Sequence, residues 1–287
     1  MILLALLLGA PAAAVPSPPA AQSDIVVEGR RSGKQAIHDF VAAVTPAPTG
    51  GQLVRFQDAV CPAATGLPEA QNVQIVARMR QVADAIGLRL ATQPCGPNAL
   101  VIVAGDKQQF IAALRARYPV YFRTGLDERA VIPREKGPAT AWHIDGLLTA
   151  DHAPAAVHTP AADGRPGTYY MTSSMDSSRL RPPAIPRFLA GVLVVEAKAL
   201  AGLTTRQLAD YAALRLYATT DPGALKPSAS SILGILDAPM GSAIPLSLTS
   251  WDLSFLKGLY HNDDRQFANR QRNQIERSVR KEVGDTP

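Results

Sequence analysis

Residues 203–222 read LTTRQLADYAALRLYATTDP, and this stretch decides how the rest of the chain must be arranged. It opens with a capping signature, in which Thr204 accepts from the amide of Gln207 while the Gln207 side chain reaches back. Leu208, Tyr211, Ala212, Leu216 and Tyr217 then spread apolar groups around most of the cylinder. A helix apolar nearly all round belongs inside a domain rather than on its surface. Pro222 ends it, because proline disfavours the helical conformation at Asp221. The run Gly191-Val-Leu-Val-Val-Glu196 just before it has the length and composition of a buried strand. In many secreted hydrolases a central helix of this kind carries the catalytic side chains. This one offers no residue that can be assigned a catalytic role.

Working back toward the N-terminus, 53–60 suits a strand leading into Cys61. Ile75, Val76, Met79, Val82, Ala83 and Ile86 recur at helical spacing, with Gly87 as the stop. Leu100–Ala104 is a short continuous apolar run, as a strand covered on both faces would be. Asp106 with Gln109 signals another N-cap, and Phe110, Ile111, Leu114 and Tyr118 form the stripe of the helix that follows. Alternating strand and helix predict an α/β (or α+β) fold, a mixed sheet with covering helices and right-handed crossovers. Ala104-Gly-Asp106 joins a strand to a helix N-terminus, but without a Lys-Ser/Thr pair it reads as a turn with an Asp cap, not a phosphate loop.

Composition sets the compartment and the outer limits. Residues 1–22 have the apolar core and small-residue end of a secretory signal, although the basic leading segment is missing. An ordinary N-terminal core helix fits poorly, because Pro11, Pro16, Pro18 and Pro19 crowd its end. No other run is long and apolar enough to span a bilayer, so no transmembrane segment is expected after processing. The chain has only two cysteines, Cys61 and Cys95. In an oxidising compartment the simplest reading is a disulfide, worth about 3–4 kcal/mol in the chain-entropy model. Two buried thiols are the alternative, and a metal pair is disfavoured by the absence of CxxC or nearby His spacing. At 47% hydrophobic the chain is not disordered as a whole. Its net charge of +5 is concentrated in Arg265, Arg270, Arg272, Arg277, Arg280 and Lys281, which without interleaved aromatics reads as a solvated helix face rather than a nucleic-acid site. Asp24-Ile-Val-Val-Glu-Gly-Arg-Arg31 resembles a segment near the mature N-terminus of TonB-dependent receptors and of other exported proteins of sphingomonad-like bacteria. No β-barrel pattern follows it.

Residues 126–187 change character. Their prolines and paired serines predict an irregular region of loops and short edge strands, with only Gly167–Thr172 reading well as a strand. His143, His152 and His158 fall here and are the weak candidates for metal ligands. Zinc sites favour ligands at close spacing on rigid elements, which this segment does not offer. In Trp142-His-Ile-Asp145 a carboxylate could orient His143, and an exposed His on an alternating strand explains the same residues. There is no GxSxG elbow, and the Ser-rich run 172–178 reads as a hydrogen-bonding loop.

Beyond the central helix come Ser231-Ile232-Leu233, then Leu248-Thr249 with Asp252, and then Leu259-Tyr260. This order resembles the C-terminal half of the metzincin (zincin) metallopeptidases over about 191–260. In that family a zinc-carrying helix is followed by a Ser-Ile-Met turn beneath the metal and a helix opening Leu-Thr-x-x-Asp and ending Leu-Tyr. The resemblance implies a zincin-like fold, but the family's HExxHxxGxxH pattern is lost. Laid on this chain it meets Tyr211, Ala212, Arg215, Ala218 and Asp221, of which only Asp221 can ligate. Arg206 and Asp210, four apart, are expected to pair on the helix instead.

The chain is therefore expected to comprise a signal at 1–22, a flexible segment at 23–50, one zincin-like domain at 51–263 and a charged amphipathic helix at 264–287. That last helix carries a narrow stripe of Phe267, Ile275, Val279 and Val283. The function expected is that of an exported, periplasmic or extracellular, catalytically inactive binding domain without a cofactor, for an envelope protein or peptide and not for nucleic acid. The alternatives are an active metal-dependent hydrolase using the loop histidines, and a structural envelope protein.

Overall fold

The computed structural model describes residues 33–46, 51–122, 137–149, 152–153, 156–160, 166–170, 182, 184–226, 229–239 and 241–282. The expected signal, the 24–31 segment, the Ser-rich run 172–178 and Val283 lie outside the described residues. The fold is mixed α/β, and β7 (Ala184–Glu196) is its spine. Along one edge β7 pairs antiparallel with β4 (Ala139–Thr149). Along the other it pairs in parallel first with β1 (Arg55–Phe56) and then with β3 (Ala99–Ala104). β3 in turn pairs in parallel with β2 (Pro62–Thr65), and β5 (Ala156–Pro160) with β6 (Pro166–Tyr170) makes a separate antiparallel ribbon.

Side-chain alternation splits the interior into two cores. On one face Val101, Val103, Leu193 and Val195 meet α2 (Glu69–Ala85) and α4 (Thr205–Tyr217) in the main core. On the other, Ile102, Val192, Val194 and Trp142 are covered by Phe110, Ile111 and Leu114 of α3 (Lys107–Arg117). β3 and the second half of β7 are thus buried on both sides, which is why they read as unbroken apolar runs. α4 is the central buried helix that its sequence predicts: every residue from Gln207 to Tyr217 is buried, and its Thr204–Gln207 capping box is complete. The Asp106 cap and the Thr249–Asp252 capping box of α5 (Ser250–Tyr260) form as well. Cys61 and Cys95 are joined as a disulfide, with Cα atoms 6.2 Å apart.

Four expectations are corrected. The 23–50 segment contains α1 (Lys34–Ala43), whose Ile37, Phe40 and Val41 are buried, Phe40 lying edge-on to Trp251 at 5.3 Å between ring centres. Its amphipathic pattern spans too few turns to stand out beside the prolines before and after it. The strand expected at 53–60 shrinks to Arg55–Phe56, because β3 takes over that edge of β7. The irregular region holds the eleven-residue β4 and the β5–β6 ribbon, and β7 begins within it despite Pro186. Asp210 pairs with Arg78 of α2, not with Arg206.

The C-terminal helix forms as α6 (Ala268–Glu282) and lies against α1 and α5, with Ile275 and Val279 in the main core. Among the described residues no helix is long and apolar enough to cross a membrane.

Candidate functional site

The middle and the C-terminal end of α4 hold or adjoin most of the candidate residues. Near its middle Asp210 is fully buried and fully engaged. Its Oδ1 accepts from Arg78 Nε at 2.7 Å, and its Oδ2 accepts from Arg78 Nη2 at 3.1 Å, Ser247 Oγ at 2.6 Å and Leu248 N at 3.0 Å. This two-pronged ion pair locks α2, α4 and the segment leading into α5 together. A carboxylate buried and held by four internal donors reads as structural.

Asp252 makes a second clamp. It accepts from Ser231 Oγ at 2.5 Å, Ile232 N at 2.9 Å, Thr249 N at 2.9 Å and Thr249 Oγ1 at 2.9 Å. The Ser231-Ile232-Leu233 turn and the Leu248-Thr249-x-x-Asp252 helix start are therefore one hydrogen-bonded unit, packed against α4. Burial pushes the Asp252 carboxyl up to about 6, against the hydrogen bonds from Ser231, Ile232 and Thr249.

On the face of α4 that the resemblance aligns with a zinc-binding pattern, Tyr211 and Arg215 are buried. The Arg215 guanidinium lies 5.8 Å from the centre of the Tyr211 ring, with Nη1 3.3 Å from the hydroxyl. Arginine keeps its charge and has no lone pair for a metal, so this face repels a divalent cation rather than holding one. Asp221 is exposed and caps the following turn, its Oδ1 accepting from Gly223 N at 3.0 Å, and no other His, Cys, Asp or Glu is grouped with it as a metal site among the described residues. These residues do not fit zinc.

The C-terminal end of α4 explains His143. A buried helix end leaves backbone carbonyls in need of donors, and α4 ends in an extended Ala218 without a glycine cap. His143 Nε2 supplies one donor, to Leu216 O at 3.1 Å, and the Tyr260 hydroxyl supplies another, to Tyr217 O at 2.8 Å. The ring lies flat against Phe188, with centroids 3.9 Å apart. Gly191 makes this approach feasible, since a Cβ there would sit 3.1 Å from both His143 and Leu216 side-chain carbons. Burial pulls the His143 pKa down to about 4; the Leu216 bond opposes that shift and the Arg215 charge adds to it. His143 is thus a neutral cap.

His152 is exposed, at positive φ, with Nε2 3.9 Å from Asp264 Oδ2. His158 sits on β5, and its side chain lies outside what is described. Among the described residues no three His, Cys, Asp or Glu side chains are grouped as a metal site.

Asp145 does not orient His143. The register of β4 against β7 shifts between Ile144 and Asp145, an irregularity of the kind that re-aims a side chain. Asp145 lines a cleft of about 190 Å³ together with Val44, Leu53, Ala218, Thr219 and Phe255. Its Oδ1 is buried with no hydrogen-bond partner, and burial alone raises its pKa to about 6. Sequence reasoning passed over this role. The available signal was a carboxylate inside Trp142-His-Ile-Asp-Gly-Leu-Leu148, a run apolar apart from His143. No family model, curated protein or solved structure matches the chain.

Proposed function

We propose that this chain is an exported, catalytically silent binding domain of zincin-like descent. The observation that carries the reading is the Tyr211–Arg215 pair, which places a permanent cation on the helix face where the resemblance would put zinc ligands. The descent is supported by the way Asp252 ties the Ser231-Ile232-Leu233 turn to the start of α5, so that the two resembling motifs act as one piece against α4. Export is supported by the Cys61–Cys95 pair, since disulfides persist in oxidising compartments. Among the described residues around α4 no general base is paired with a nucleophile, which fits binding rather than turnover.

The test is the metal content of the mature protein, purified from the periplasm without chelators or affinity tags. Less than a tenth of an equivalent of zinc is expected. Near-stoichiometric zinc that is lost on replacing His143, His152 or His158 would overturn the reading and point to a metallohydrolase.

A further inference from the structure

The cleft at the C-terminal end of α4 has an unusual combination of walls. Val44, Pro46, Leu53, Val54, Ala218, Phe255 and Leu259 are apolar, Thr45, Gln52 and Thr219 are neutral, and Asp145 is the one titratable group among the lining residues. A carboxylate oxygen buried without a donor is costly to maintain, of order 1–3 kcal/mol even before its charge is counted. Native proteins rarely leave such a group orphaned unless something else satisfies it. The neighbouring cations do not serve. Arg55 from β1 donates to Leu259 O, Arg187 from β7 pairs with Asp58, and Arg272 from α6 donates to Thr45 O. His143, two residues away on the same strand, is neutral and turned to Leu216.

We propose that this cleft binds a primary ammonium group carried on an aliphatic chain, with Asp145 pairing the charge and the apolar walls covering the chain. The cleft's volume of about 190 Å³ corresponds to roughly six waters, at about 30 Å³ each, which suits a head group and a short unbranched chain. Ammonium answers the site's need better than a neutral donor does. It supplies both the missing hydrogen bond and the counter-charge that the carboxylate, ionised at neutral pH, otherwise lacks. The chemistry is shared by free alkylamines and by the side chain of lysine in a peptide.

The experiment titrates the folded mature chain, observed by NMR, with n-butylammonium, N-acetyl-lysine methylamide and n-butanol as the uncharged counterpart, at pH 7.5 and 4.5. Both ammonium probes are expected to bind at least tenfold more tightly than n-butanol at pH 7.5. Their advantage should shrink at least fivefold at pH 4.5, and D145N should abolish it. A tighter lysine derivative would assign the site to peptide side chains, and a tighter butylammonium would assign it to free amines. Equal binding of butanol, unchanged affinity in D145N, or no shifts at cleft residues would overturn the proposal. If D145N does not fold, the charged-against-neutral comparison on the unaltered chain decides alone. This inference goes beyond the silent-domain reading and fails separately from it, because zinc content is tested at His143, His152 and His158, none of which lines the cleft.

Discussion

Asp210 lies on α4 and Asp145 lines the cleft at its C-terminal end, and the two regions treat a buried carboxyl in opposite ways. At Asp210 a guanidinium from α2 and a hydroxyl and a backbone amide from the segment leading into α5 converge. At Asp145 the register irregularity in β4 leaves an oxygen buried against apolar walls, and nothing converges on it. The difference teaches that burial by itself does not tell a structural acid from a functional one. What separates them is whether the donors are supplied by the fold or left to come from elsewhere.

The comparison breaks most visibly at Asp210. Replacing it with alanine strands the buried Arg78 charge and should cost about 3–5 kcal/mol, which a shift in the urea midpoint would report. A cost below about 1 kcal/mol would mean that the clamp does not hold α2 to α4.

His143 is next. H143L removes the donor to Leu216 O and should cost about 2 kcal/mol for an unsatisfied buried carbonyl. The pH dependence has a defined sign. With the folded pKa near 4 and the unfolded value near 6.5, the unfolded chain binds the extra proton first. The stability contributed by His143 is therefore present above pH 6.5 and lost as pH falls toward 4. In H143L that part of the slope should vanish from equilibrium unfolding curves collected across this window.

The smallest effect is expected at Asp145, and its direction is opposite. Its folded pKa of about 6 lies above the ordinary 3.8, so its contribution favours folding below pH 3.8 and is lost as pH rises through 6. D145N should accordingly be more stable than the parent by about 1 kcal/mol at pH 7.5, the partly exposed side chain limiting the gain, and equal to it near pH 3.5. Thermal melts at the two pH values check this. Destabilisation at pH 7.5 would show that Asp145 has a structural partner and would close the gap between the two regions.

Much of the fold was legible because its signals are local. Capping boxes at Thr204 and Thr249, the Asp106 cap, the stripe of α2 and the apolar runs of β3 and β7 each lie within one or two turns of chain. The misses have a shared cause. β4 is held by pairing with β7 over its whole length, with Trp142 anchored to Tyr121 O, and such support comes from residues distant in sequence. α1 is held by α6 and Trp251 in the same way. Of the candidate site, sequence spacing could rule out the zinc pattern on α4. It could not tell that His143 would cap a helix end or that Asp145 would line a cleft, because a shift in strand register decides where those side chains point.

By itself, then, the sequence determined the class of fold, the buried central helix, the pairing of Cys61 with Cys95 as its simplest disulfide, and the lack of a metal-binding pattern on α4. Each of these depends on residue type and short-range spacing, which are properties of the chain. Only the tertiary structure decided which polar groups end up partnered. Asp210 lost its expected helix neighbour Arg206 to Arg78, and Asp145 was left without a donor. Satisfaction of a buried group depends on what distant segments bring within hydrogen-bond reach, and that distance is set by packing rather than by position along the chain.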